Sequence, residues 1–145
     1  MSKFKFRFQS VQKVKEIFEK RIEEEISRLN QQIAEQKIQL RKTTDERNRL
    51  ADSMIKKPAK VADYQSMKSY DVQLEKEIIS IQKRINALLK KREEKQKELL
   101  EKKKEVKAFE TLKENAYEDF LVEDRRDELK ILNEVAVRNH KGDQP

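Results

Sequence analysis

His140 is the only histidine, and the chain has no cysteine. A zinc site draws three or four ligands from His, Cys, Asp and Glu, so these residues assemble no thiolate or imidazole centre. Adjacent acids such as Glu93-Glu94, and Asp124 with Asp127, have the residue types for general acid–base work. That chemistry needs a shaped, partly dry site to separate two carboxyl pKa values, and spacing alone supplies none. A phosphate-cradling loop needs several glycines, whereas Gly142 is the only one. The runs Lys90-Lys91-Arg92 and Lys102-Lys103-Lys104 have the charge to touch phosphates, but Glu93, Glu94, Glu98, Glu101 and Glu105 interleave them. Single-strand binders also place aromatics among such charges, and none lies between Tyr70 and Phe109. These observations exclude catalysis and disfavour nucleic acid, leaving partner recognition as the function to look for.

The elements that must position any such surface follow from two apolar ladders. Ile22, Ile26, Leu29, Ile33 and Leu40 fall on a four-three rhythm that continues through Leu50 and Met54. Leu74, Ile78, Ile81, Ile85 and Leu88 repeat it, and Leu99, Val106, Phe109, Ala116 and Phe120 stay in phase. A helix turns once in about 3.6 residues, so this rhythm draws one narrow seam that only another helix can bury. With 43% charged residues, one Gly and two Pro, the chain lacks the turn residues of a globular fold. Pro58 is the only internal proline, and proline opposes helix at the residue before it. The expected fold is all-α, a long antiparallel two-helix coiled-coil hairpin whose second helix is the longer.

The expected boundaries are a Phe/Lys lead-in at 1–9, a first helix at 10–55, a bend at 56–61, a second helix at 62–138, and a frayed tail at 139–145. Ser10 is a candidate N-cap for the first helix and Asp63 for the second. Val14, Phe18, Ile22 and Ile26 step by four, which reads as a stutter that loosens the supercoil. Gln36, Thr43 and Arg47 fall on seam positions, as do Arg92, Lys95 and Lys102. Their stems can cover apolar surface while their polar ends reach water.

A short bend places residue i opposite roughly residue 116 minus i, so the first helix runs out near residue 112. The stripe Phe120, Leu121, Leu129, Leu132 and Val135 is then left without an intramolecular partner. The opening Lys3-Phe4-Lys5-Phe6-Arg7-Phe8 reads either as an extended lead-in that lays phenylalanines on the neighbouring helix or as a docking tail. Charge is banded: residues 1–57 carry 15 basic and 9 acidic side chains, 83–107 carry 11 and 5, and 110–134 carry 4 and 9. Such banding suits protein partners of matching potential. No apolar run approaches the ~20 residues that cross a bilayer, and the amino end has no secretory pattern. The chain therefore reads as cytoplasmic.

Three segments carry a family likeness. Phe4-Lys5-Phe6-Arg7-Phe8-Gln9 opens the chain, and Asp63-Tyr64-Gln65 precedes Tyr70-Asp71-Val72-Gln73-Leu74-Glu75-Lys76-Glu77-Ile78. Glu105-Val106-Lys107-Ala108-Phe109-Glu110, then Asp119-Phe120-Leu121-Val122-Glu123-Asp124, then Asn133-Glu134 follow in order. In this series the chain resembles the FliJ family of flagellar export proteins over nearly its whole length, with Asn133 where many members have Asp. The resemblance implies a non-catalytic component of the bacterial flagellar type III export apparatus, without cofactor or metal and monomeric when free. It would act as a stalk on the export ATPase ring. Implied partners are the export ATPase and its regulator, the export gate membrane protein and substrate-specific export chaperones, with no nucleic acid. The implied location is cytoplasmic, peripheral at the inner face of the cell membrane through those partners. Phe4, Phe6, Phe8, Leu121, Arg125, Arg126, Leu129 and Leu132 are the implied contacts to the ATPase. Tyr70 and Leu74 are those to the gate, although Leu74 also lies on the seam. The rival readings are a scaffold coiled coil dimerising through its carboxy-terminal helix, and a basic RNA- or membrane-surface binder.

Overall fold

The computed structural model describes residues 3–56 and 60–142, with side chains as far as His140. Helix α1 spans Gln9–Lys56 and helix α2 spans Val61–Gly142; no strand occurs among the described residues. Glu, Lys, Gln, Arg and Leu fill both segments, and these side chains lose little freedom in a helix. The first turn of α1 closes when Gln12 N–H donates to the Phe8 carbonyl at 2.9 Å. Ser10 thus lies inside the helix rather than capping it. Tyr64 N–H donates to the Lys60 carbonyl at 3.1 Å to open α2. Asp63 sits in that first turn, where a negative charge favours the helix dipole. Of the bend expected at 56–61, residues 57–59 lie outside the described residues, while Lys56 ends α1 and Val61 begins α2. Residues 139–142, expected to fray, belong to α2.

The chain divides into two compact units: residues 20–100, and residues up to Glu19 combined with those from Glu101 onward. In the 20–100 unit the two helices run antiparallel. Arg47 meets Asp71, Asn30 meets Arg92, and Glu25 meets Lys95, so the α2 number rises as the α1 number falls. Ile22, Leu29 and Ile33 of α1 and Leu74, Ile81 and Ile85 of α2 form the buried core. Ile26, Leu40, Leu50, Met54, Ile78, Leu88 and Leu99 are half-buried between them. Every one of these falls on the four-three alternation, the seam geometry of a coiled coil.

Polar seam residues of this unit are mostly met locally. Thr43 is buried, and its hydroxyl donates to the Gln39 carbonyl one turn back at 3.0 Å. Arg47 Nε donates to Asp71 Oδ1 at 2.9 Å, and its guanidinium lies 3.6 Å from Glu75. Arg92 donates to Asn30 Oδ1 at 3.0 Å. Lys95 Nζ lies 2.8 Å from Glu25 and 3.3 Å from Glu98. Gln36 Oε1 is enclosed without a hydrogen-bond donor.

The other unit keeps the same phase, contrary to the expected stutter. Its α1 seam is Gln12, Lys15 and Glu19, set against Lys102, Val106, Phe109, Lys113, Ala116 and Phe120. Val14 and Phe18 lie off that seam, 48% and 43% exposed. A stutter requires the helix to unwind locally, whereas the seam residues of this unit keep three- and four-residue steps on both helices. The stems of Gln12 and Lys15 fill the seam instead. Lys15 Nζ reaches Glu105 at 3.0 Å, and Lys102 Nζ lies 5.9 Å from the Phe18 ring centroid.

Two outcomes follow from this seam. Leu74→Ala should lower unfolding stability by about 2–5 kcal/mol, the range for deleting a buried leucine. Val14→Ala should change it by no more than about 0.5 kcal/mol, as for an exposed position. Denaturant titration of both variants measures the difference.

Hydrogen bonds from Lys95 to Glu25 and from Lys15 to Glu105 hold both carboxyls below their ordinary range. Their contribution is present above the unfolded carboxylate range and is lost as pH falls through the depressed values. Lys95 is held above the ordinary lysine range, first by Glu25 and then by Glu98. Its contribution is present below that range and is lost as pH rises through the raised value. The melting temperature should therefore fall at both acid and alkaline extremes, and Lys95→Met should flatten both limbs.

Candidate partner-binding surfaces

In the unit holding the termini, residues 3–6 lack regular structure and a turn at 7–8 leads into α1. The alternation of Lys3-Phe4-Lys5-Phe6-Arg7-Phe8 sends Phe4 and Phe6 against α2, half-buried, while Lys3, Lys5 and Arg7 stay exposed. Phe4 meets Tyr117 edge-on with centroids 5.2 Å apart and Phe120 at 5.5 Å. Phe6 meets Phe8 at 5.8 Å, and Phe8 meets Phe109 at 6.2 Å. Each such aromatic pair adds about 0.5–1.5 kcal/mol beyond burial. The Arg7 guanidinium lies 5.4 Å from the Phe8 ring centroid. The lead-in therefore packs on the neighbouring helix, and it covers α2 as far as Phe120, past the point near residue 112 where the sequence left α2 bare.

An open groove of about 680 Å³ runs along this cluster. Phe4, Phe6, Phe8 and Phe120 supply apolar surface, the basic side chains of the lead-in line it, and Asp119 and Glu123 lie across from them. An apolar floor with a charged rim suits an inserted apolar side chain, the usual anchor of a protein interface. Tyr117 and Leu112 were absent from the residues singled out in the sequence. The signal for Tyr117 was its place three residues before Phe120, which puts the two rings on neighbouring helical positions; they stack with centroids 6.4 Å apart.

Past the cluster, Leu121 is half-buried, and Arg125 and Arg126 are exposed. Leu129 and Leu132 are 58% and 62% exposed, and Val122, Ile131, Val135 and Val137 are also exposed. Of the apolar stripe anticipated here, Leu129, Leu132 and Val135 are bare, whereas Phe120 and Leu121 are half-buried and Phe120 has Phe4 as an intramolecular partner. Ile131 points away from the stripe, since two residues turn a helix by about 200° from Leu129.

The two remaining candidates lie in the 20–100 unit. Tyr70 is 40% exposed and its hydroxyl donates to Glu46 Oε1. Leu74 is 2% exposed, at the centre of the core. Tyr70 is open to contact from outside, whereas Leu74 is closed off within the seam. Among the described residues no group of three His, Cys, Asp or Glu side chains could hold a metal, and no helix is long and apolar enough to cross a membrane.

The Tyr70 phenol is held above its ordinary range, first by the hydrogen bond to Glu46 and then by burial. The neutral phenol is thus favoured when folded, and this contribution is lost as pH rises through the raised value. Among the chain's three tyrosines, Tyr70 should titrate at lower pH in Glu46→Gln than in the parent chain. An ultraviolet absorbance titration of the two proteins checks it.

The family model for the Flagellar FliJ protein matches residues 4–144. No curated protein and no solved structure matches the chain.

Proposed function

The chain belongs to the flagellar FliJ protein family, which implies a component of the flagellar export apparatus, and we propose that it serves there as a non-catalytic stalk. On this reading it sits on the ring of the export ATPase and couples that ring to the export gate and to substrate chaperones. It works in the cytoplasm, peripheral at the inner face of the cell membrane through its partners, and is monomeric when free.

The observation that carries the reading is the bare stripe of α2. Leu129, Leu132 and Val135 are exposed in a segment that no other element among the described residues covers, and exposed apolar surface of this kind marks an interaction site. Arg125 and Arg126 beside it offer charge-assisted contacts. The aromatic groove of Phe4, Phe6, Phe8 and Phe120 supplies a second contact in the same unit. Tyr70 is the contact toward the gate, positioned by Leu74 beneath its helix. The mechanism is mechanical: an asymmetric helix pair within a symmetric ring contacts the subunits unequally and biases their assembly or ATP turnover by differential binding.

Truncation after Asp124 keeps the aromatic cluster and removes the bare stripe. The truncated chain should remain helical by circular dichroism and should fail to stimulate the cognate export ATPase. Undiminished stimulation would remove the stalk reading, and a stable dimer of the parent chain in sedimentation that is lost on truncation would favour a scaffold instead.

A further inference from the structure

The two units differ in what fills the seam. From Ile22 to Met54 the α1 seam is apolar except at Gln36, Thr43 and Arg47. In the unit holding the termini the α1 seam is Gln12, Lys15 and Glu19, with no apolar residue among them. The α2 seam opposite stays apolar at Val106, Phe109, Ala116 and Phe120. An apolar seam thus lies under a polar one, and burial follows. Six apolar side chains are buried in the 20–100 unit, against Val106 alone among the described residues of the other. The boundary between the units falls at Glu19, where the α1 seam changes character.

The contacts that hold residues 3–19 on α2 are few and open to solvent. Lys15 meets Glu105 at 3.0 Å with side chains 29% and 41% exposed, and ion pairs at a surface contribute little. Lys102 Nζ lies 5.9 Å from the Phe18 ring centroid. Gln12 is 5% exposed and its Oε1 has no donor, a want that water meets once the seam opens. Gln36 is orphaned in the same way, but Ile33 and Leu40 flank it on the seam. The remaining hold is aromatic, from Phe4 on Tyr117 and Phe120 and from Phe8 on Phe109. Phe4, Phe8 and Phe120 border an open groove rather than an enclosed core. Off α2, the stretch from Gln9 to Glu19 would have no packing, and a short unpacked helix is marginal in water. Release and melting of this stretch therefore go together.

We propose that residues 3–19 form a strap, a conformational unit that lifts from α2 as one piece while the 20–100 unit stays paired. Closed, the chain shows the groove of Phe4, Phe6, Phe8 and Phe120. Open, it shows the apolar α2 seam from Val106 to Phe120. The two surfaces exclude each other, so anything that binds one form alone shifts the balance toward that form. The strap does not depend on the stalk reading, which rests on the bare stripe beyond Asp124.

Hydrogen exchange read residue by residue on the unmodified full chain tests this. Amides from Lys13 to Glu19 should share one opening constant, about a hundredfold or more above that of Ile22 to Met54, with a step near Lys20. A smooth gradient from Lys13 inward to Leu29 is plain fraying of a helix end and would overturn the proposal, as would equal protection on both sides of Glu19. The chain has no cysteine, so single thiols give a second reading. Val106→Cys and Ile85→Cys replace side chains 7% and 8% exposed, one in each unit. Val106→Cys should be alkylated about tenfold or more faster than Ile85→Cys. Gln12→Leu, Lys15→Leu and Glu19→Leu together should slow that alkylation by about tenfold or more and leave Ile85→Cys as it was. Thiols that react at one common rate, or a Val106→Cys rate unmoved by the leucines, would also sink the strap. An export ATPase indifferent to tail truncation would leave the exchange pattern standing, so the two readings fail separately.

Discussion

A seam only two residues in seven wide governs this protein. Each helix turn offers it one side chain, and the phase set anywhere along a continuous helix holds everywhere along it. In the 20–100 unit, Ile22 to Met54 and Leu74 to Leu99 set that phase. Where the sequence supplies polar residues at seam positions, the phase does not yield. Gln12, Lys15 and Glu19 enter the seam, while Val14 and Phe18 are turned out of it. Holding one register costs less than unwinding a helix to follow a local apolar preference.

The same constraint decides where recognition can occur. Two helices meeting along one line enclose no cavity, and the ion pairs Lys15–Glu105, Arg47–Asp71 and Lys95–Glu25 flank the line rather than form a site. Surfaces for partners must come from what the seam leaves over: the phenylalanine lead-in folded onto α2 and the bare apolar stripe beyond Asp124. Each is apolar surface without enough neighbouring chain to cover it, a state that association with another protein relieves.

Antiparallel pairing, the number of helices and the greater length of α2 were all legible, because the four-three rhythm and the lack of turn residues leave little alternative. The bareness of Leu129, Leu132 and Val135 was legible too, from the difference in helix lengths. The stutter at Val14 and Phe18 was misread, since spacing within one short window carries no information about the phase imposed from outside it. Tyr117 went unremarked because its partner, Phe4, lies 113 positions away in the chain. The pairing of Tyr70 with Glu46 was hidden for a similar reason: each reads alone as a solvated side chain.

The sequence by itself determined that two amphipathic helices must pair, because that depends on residue type and local spacing. The tertiary structure alone decided which apolar residues are spent on the core and which remain for others. Leu74 vanished into the seam and Tyr70, four residues before it, stayed reachable; Phe4 settled on α2 while Val14 faced outward. Those outcomes rest on rotation of one helix against the other, a quantity set by all the contacts of the interface together.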